Sequence, residues 1–354
     1  MNNKMAHIIT ALLFLTGCGA GEKGSGPDLS YDGLASPATI TEDNSRDLIL
    51  ELSSNTNKGS SELGNIDRDT DIDFLSKPVT RIVKKLQAIK GKEHDLESDS
   101  DINLEIDFDL NGSSEIKGTC GGKIIVTSSG FPNFNSEDPN SLIQAIIALE
   151  TATINIETVH DNYCERNFFG QIEISNGRIV SRFKFNASEF HAALYDFEVS
   201  ADGITTLMNG TMDGRFSLGS EQGDNFSSDT TTSLSFVETV DDISTSFKVE
   251  NYRVIVENEV SFNSAIAKYS GRVYQSEIGY LDISTPEGIT IDLFQSFPTA
   301  GVMIFKGNGM ITITFNENYT YDIETKNSSG ETSIESGLPT SDFGIDFFSI
   351  NTFE

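Results

Sequence analysis

The side chains that could do chemistry here are mostly carboxylates: 54 Asp and Glu stand against 24 Lys and Arg, for a net charge of −30. Asp67, Asp69, Asp71 and Asp73 alternate as they do in a calcium loop. An EF-hand needs glycine at the sixth position and a bidentate Glu at the twelfth, and these positions hold Ile72 and Pro78. The EF-hand is excluded, which leaves a loose Ca²⁺ site or a solvated acidic linker. Asp101, Glu105, Asp107 and Asp109 lie along one face of a strand pattern, about 7 Å apart at alternate positions, too far to converge on one cation without a neighbouring strand. Among 54 acids some close pair is inevitable, so a glycosidase dyad has no specific support. The sequence holds no H-E-x-x-H, G-x-S-x-G, Walker or G-x-G-x-x-G signature, and His94, His160 and His191 share no ligand spacing. The expectation is a non-enzymatic protein with no catalytic residues, no metal and no cofactor. Cys120 and Cys164 can pair as a disulfide, the rival readings being two free buried thiols or a catalytic thiol; no His lies near Cys120 in sequence to activate it.

The overall charge narrows the partners. A surface this acidic repels phosphate backbones and anionic headgroups, so no nucleic-acid partner is expected. Hydrophobic content of 37% and 24 Phe suffice for a sizeable core in 354 residues. At the N-terminus, Lys4, the apolar run Ile8 to Leu15 and then Leu15-Thr16-Gly17-Cys18 resemble a bacterial lipoprotein signal. Eight apolar residues are far short of the roughly 20 a membrane-spanning helix needs. The resemblance implies a signal peptide over 1–17 and lipidation of Cys18, so that the membrane is a partner through acyl chains. Gly19 stands where lipoproteins retained at the inner membrane carry Asp, which by the same resemblance implies the outer membrane, facing the periplasm. An oxidising compartment also suits a disulfide.

The elements follow from periodicity. Residues 18–30 are small, polar and glycine-rich, a flexible tether of about 20 Å reach. A helix is expected over about 42–52, capped by Thr41, with Leu48, Ile49 and Leu52 on one face. A second, from Pro78 to Lys90, carries an apolar stripe of Val79, Ile82, Val83, Leu86 and Ile89 that should dock on a sheet. The second helix's other face holds Arg81, Lys84, Lys85 and Lys90. From Ile102 the apolar period becomes two and recurs through Ile323, with Asn176-Gly177, Asn209-Gly210 and Asn308-Gly309 reading as hairpin turns. A helix or a buried strand is expected over 139–149. The resulting expectation is a mainly β fold: a large curved antiparallel sheet, an open half-barrel or sandwich, with two or three short amphipathic helices. The divisions are a helical N-terminal segment with polar linker over 31–100, a β domain over 101–340 and a tail over 341–354. A faint irregular repeat links Tyr195-Asp196-Phe197 to Gly210 and Tyr252-Arg253-Val254 to Gly271.

Tyr31-Asp32-Gly33, then Ala38, Ile40, Asn44 and Leu48, is similar to the opening of a group of uncharacterised bacterial lipoproteins with the pattern Y-x-G-x4-A-x-I-x3-N-x3-L. Cys120-Gly121-Gly122 and Tyr163-Cys164 resemble that group's paired cysteines. Gly271-Arg272-Val273-Tyr274, with Gly279-Tyr280 and Ser284-Thr285, resembles its G-R-V-Y segment, and Pro298, Gly301 and Gly309 its final hairpin. The resemblance implies a compartment and a β-rich fold, and no activity. Phe-rich strand faces left uncovered would suit an apolar ligand, which makes a lipid carrier or chaperone the main rival to a binding or structural role. An envelope-polymer hydrolase is the distant third.

Overall fold

The computed structural model describes residues 27, 29–50, 52, 111–132, 148, 151–166, 171–218, 226–258, 264–292 and 297–343. The expected helix over 78–90, the acidic runs at 67–73 and 101–109, Cys18 and His94 lie outside them, as does the expected helix over 139–149 except for a helical Ala148. Among the described residues, fifteen strands form one antiparallel sheet. They are β1 (Gly112–Lys117), β2 (Gly121–Ser129), β3 (Thr153–Arg166), β4 (Ile172–Lys184), β5 (Glu189–Ala201), β6 (Ile204–Leu218), β7 (Phe226–Val240), β8 (Ile243–Asn258), β9 (Ser264–Gln275), β10 (Gly279–Ser284), β11 (Ile289–Asp292), β12 (Phe297–Gly307), β13 (Gly309–Asn316), β14 (Thr320–Asn327) and β15 (Thr332–Pro339). Strands next in sequence lie side by side throughout, except that β10 and β11 share the space between β9 and β12. Among the described residues there is one short helix, α1, over 45–50 and 52, fewer than the two or three expected.

Alternation of apolar and polar side chains makes these strands, but in the long ones the alternation slips phase halfway. In β5, Phe190, Ala192 and Leu194 are buried at period two, and the next buried apolar residue on that face is Phe197. In β8, Phe247 and Val249 are followed by Tyr252, Val254 and Val256. Each slip is a β-bulge. The register shifts between Gly121 and Lys123, His160 and Tyr163, Asn176 and Arg178, Leu194 and Phe197, Thr232 and Leu234, and Glu250 and Arg253. These six shifts are three bulges, on β3 around Asn162, on β5 around Asp196 and on β8 around Asn251, each seen from both neighbouring strands, and each bends its strand and increases its twist.

Asx residues and glycines build this line of bends. Asn162, Asp196 and Asn251 sit at the bulges with φ of 47°, 46° and 49°, the left-handed region that Asx tolerates best after glycine. Their N–H groups, displaced from the ladder, donate to side chains on the adjoining strand: Asn162 to Asn176 Oδ1 at 2.8 Å, Asp196 to Asn209 Oδ1 at 2.7 Å, and Asn251 to Ser233 Oγ at 3.0 Å. Opposite Asp196 the chain carries Gly177, where a methyl would overlap the Asp196 carbonyl oxygen.

Asn176-Gly177 and Asn209-Gly210 are therefore not hairpin turns. They lie inside β4 and β6, where each Asn accepts from a bulge residue of the adjoining strand and Gly177 makes room for the bulge at Asp196. Only Asn308-Gly309 sits at a chain reversal, where Lys306 pairs with Met310. Two-residue turns occur instead at Asp202-Gly203 and Asp241-Asp242, both with positive φ as a type I′ turn requires. Asn209 is buried and also donates to Asp196 Oδ1 at 3.1 Å. Asn209→Ala is thus expected to cost about 1 to 3 kcal/mol by stranding the Asp196 amide, read as a lowered urea midpoint.

The core lies on one face. Ala267, Val273, Met303, Ile311 and Ile313 are fully buried there, in one cluster with Ala38, Ile40, Leu48, Ile49 and Leu52. The segment carrying Ala38 and Ile40 crosses the hairpin tips as a strap: Tyr280 N–H donates to Ser36 O and Ala38 N–H to Tyr280 O, each at 2.9 Å, and Asn308 N–H donates to Ala38 O at 2.8 Å. The chain then turns into α1. Asn44 Oδ1 accepts the Thr41 N–H at 2.8 Å and Asn44 Nδ2 donates to Thr39 O at 2.9 Å, so Asn44 rather than Thr41 shapes the helix entry.

Candidate functional site

The apolar face of the sheet carries two separate clusters. One joins Ile124 and Val126 of β2 to Ile116, Ile156 and Tyr163. The other runs from Ile179 of β4 and Leu194 of β5 through β14. Between them lies a seam of polar side chains on β3 and β4: Thr158, His160, Ser175 and Ser181. Register places all four on the apolar face, since Thr158 pairs with Val126 and Ile179, Ser181 with Ile156 and Ala192, and Ser175 with Tyr163 and Val199. Thr158 and Ser181 are 1% and 3% exposed, and neither hydroxyl oxygen has a hydrogen-bond partner.

His160 sits at the bend. Its Nδ1 shares a 2.8 Å hydrogen bond with Ser175 Oγ, and its ring meets those of Phe197 and Tyr163 edge-on at 5.1 and 6.2 Å. Burial lowers its pKa from the usual 6.5 to about 4, so the imidazole is neutral near pH 7. Further along the same face the Tyr163 hydroxyl donates to Glu165, and Glu173, opposite Glu165, has its pKa raised by burial first and by Glu165 second. Near neutral pH the seam therefore offers uncharged hydrogen-bonding groups between apolar walls, with carboxylates at one end.

The His160 shift has a testable sign. The unfolded chain takes up a proton on this imidazole near pH 6.5 and the folded chain only near 4, so its contribution to stability is fully present above 6.5 and is lost as pH falls towards 4. Between pH 7 and 5 the wild-type urea midpoint is expected to fall more steeply than that of His160→Gln; parallel curves would contradict the burial.

His191 lies on the other face, its Nδ1 2.6 Å from Asp213 Oδ1, so the structure does not bring His160 and His191 together. Among the described residues no group of three or more His, Cys, Asp or Glu is arranged to hold a metal ion. Cys120 and Cys164 are joined in a disulfide with Cα atoms 5.2 Å apart. Of the remaining motif residues, Tyr31, Gly33, Tyr274, Gly279, Tyr280 and Gly309 lie at the strap. Tyr31 packs on Tyr274 at 5.4 Å between ring centroids and has its pKa pushed up to about 12, by burial first and then by Tyr274. Arg272 pairs with both oxygens of Asp282 at 2.7 and 3.0 Å and lies 4.0 Å over the Tyr280 ring. Methyl groups at Gly33, Gly279 and Gly307 would overlap Tyr31 and Ser276, Ser36 O, and Ala38 O respectively. These residues seat the N-terminal segment.

Two further surface features lie away from the seam. A depression of about 400 Å³ opens between Glu250, Asn251, Gly271, Arg272, Asp282 and Ile283 at the line of bends. At the tips of the β5–β6 and β7–β8 hairpins, Ile204, Val240 and Ile243 lie side by side in register and are exposed.

Sequence reasoning named His160 only as an isolated histidine and passed over Thr158, Ser175 and Ser181. The available signal was polar residues at core-phase positions, in Ile154-x-Ile156-x-Thr158-x-His160, with a phase slip before Tyr163. No protein-family model, curated protein or solved structure matches this chain.

Proposed function

We propose that this chain is a non-enzymatic lipoprotein, anchored through Cys18 in the outer membrane and facing the periplasm, whose curved sheet is a binding body. The Leu15-Thr16-Gly17-Cys18 sequence and Gly19 support the anchor and address, and a disulfide suits an oxidising compartment. The three bulges, on β3, β5 and β8, support the curvature, because each bends its strand and increases the local twist. Tyr31, where the strap meets β9, lies 13 residues beyond Cys18, which keeps the body within about 20 Å of the membrane.

The observation that carries a binding role is the pair of buried hydroxyls on Thr158 and Ser181. A core that serves only as scaffold pairs such groups or excludes them, since an unpaired buried hydroxyl destabilises the fold. A purely structural body is the second reading, favoured by the burial of Phe236, Phe247, Phe305, Phe315 and Tyr321 in the core.

The anchor is tested by exporting the protein behind its own leader and, with Cys18 deleted, behind a cleavable secretory leader. Palmitate label and outer-membrane retention are expected for the first, and soluble periplasmic release for the second. Retention of the Cys18-deleted form in detergent-resistant outer membrane would defeat the proposal.

A further inference from the structure

We infer that the tips of the β5–β6 and β7–β8 hairpins are a second membrane contact, seated among the head groups of a zwitterionic bilayer beside the lipid anchor. This rests on the reading of Cys18 as the anchor, and goes beyond it by assigning the end of the sheet that meets lipid. Alternate hairpins of the sheet share one end, and the strap crosses that end: Leu34 N–H donates to Ser276 O at 2.9 Å, and Ser276 N–H to Ser246 O at 3.1 Å. Strand β8 begins three residues nearer the tip than Ser246, at Ile243, which pairs with Val240, and Val240 pairs with Ile204. The two hairpins therefore stand about 10 Å beyond the strap. The chain that leads back to Cys18 leaves from this same end, at Leu34 and Tyr31.

Exposed apolar side chains gather here. Ile204, Val240 and Ile243 are 42%, 38% and 73% exposed, and period two from Met208, Phe236 and Phe247 puts them on the core face, past the point where the core stops. Ile172 and Ile174 are exposed at the same end of β4 but on the opposite face, since it is Ser175 that pairs with the core-face Val199. Leu34 of the strap is exposed as well; among the described residues the other exposed large apolar side chains are Tyr319, at the far end, and Ile334, on the β15 edge. A second copy of the chain would cover one face, whereas apolar groups on both faces suit a medium that surrounds the tips. The turns select the lipid. Asp202, Asp241 and Asp242 occupy them, and with a net charge of −30 they repel an anionic surface, hold the tips at head-group depth and leave carboxylates to pair with the ammonium groups of zwitterionic heads. Binding by the tips alone is weak for the same reason, and the tether offsets this by holding them near the lipid at an effective concentration in the millimolar range.

The chain has no tryptophan, so an indole introduced at Ile243 reports on the tips alone. The full lipidated chain carrying Ile243→Trp is reconstituted into phosphatidylcholine vesicles. Its emission should shift to the blue and lose about half its intensity to lipids with a nitroxide on the head group, the depth at which interfacial segments sit. Tyr319→Trp, at the far end, should show neither change. Adding Ile204→Ser and Val240→Ser to the Ile243→Trp chain should abolish the shift, and replacing half the lipid by phosphatidylglycerol at low salt should weaken it. Mass spectrometry of the acyl group and flotation with vesicles read the anchor separately. A lipidated, vesicle-bound chain whose indole stays water-like would overturn the second contact and leave the anchor in place. A chain without an acyl group would overturn the anchor reading and, with it, the contact that depends on it. A concentration-dependent blue shift of the Cys18-deleted Ile243→Trp chain in buffer would identify a second copy as the occupant and overturn the inference, as would stronger quenching on anionic vesicles.

Discussion

Ile40→Ala is expected to lower the free energy of unfolding by about 2 to 5 kcal/mol, the range for truncating a fully buried branched side chain whose surroundings cannot collapse into the space. Ile40 is 0% exposed, lies against the backbone at Gly309, and donates its N–H to Asn308 O at 3.2 Å. Gly307→Ala should cost a similar amount by another route, since its methyl would enter the space of the Ala38 carbonyl oxygen and lift the strap off the hairpin tips. Both changes disturb one docking event, so the double variant should cost clearly less than the two single costs added. Urea midpoints of the two single variants and the double decide it. Full additivity would mean that the strap does not dock as a unit.

Replacing both Cys120 and Cys164 with alanine should cost about 4 kcal/mol, the chain-entropy value for a bridge spanning 44 residues. Other hydrogen bonds persist at the same tip: Gly118 N–H donates to Gly122 O and Cys120 N–H to Cys164 O, both at 3.2 Å, and Arg166 N–H donates to the Thr119 side-chain Oγ1 at 3.1 Å. These should hold the local fold under native conditions, so the loss should be in global stability with faster amide exchange near residues 117–123. Uptake of an alkylating label at Cys120 and Cys164 without prior reduction would contradict the bridge.

The mainly β class was legible because alternation is written directly into the residues: Phe247/Val249, Ile311/Ile313/Phe315 and Tyr321/Ile323 all lie in strands with those side chains buried. The bends were not read, although they leave a mark. Asn176-Gly177 and Asn209-Gly210 lie in the strands facing the bulges, where the Asn accepts the displaced N–H and Gly177 clears the Asp196 carbonyl, so the dipeptide alone does not separate a hairpin turn from the partner of a bulge. The discriminating feature is the phase of the apolar residues in the neighbouring strand, which slips by one at a bulge. Leu194 to Phe197 and Val249 to Tyr252 show that slip, and it also explains the faint repeat around Asp196/Gly210 and Asn251/Gly271. The seam was hidden for a different reason. Ser, Thr and His at core-phase positions look like ordinary interruptions until register places them side by side on two strands. The strap was legible only as a motif, because its partners at Ser276, Tyr280 and Asn308 are more than two hundred residues away.

That separation sets an order of events. Strands that pair with their sequence neighbours can zip together as the chain emerges, each hairpin closing a short loop. The strap and α1 are made first, but the tips that receive them belong to residues 276–309, near the other end of the sequence. Ala38, Ile40, Leu48 and Leu52 must therefore wait, solvated or chaperoned, until nearly the whole sheet has been delivered. Vectorial synthesis places this early apolar segment last in line for burial. Its docking reports that the β9–β13 part of the sheet is complete.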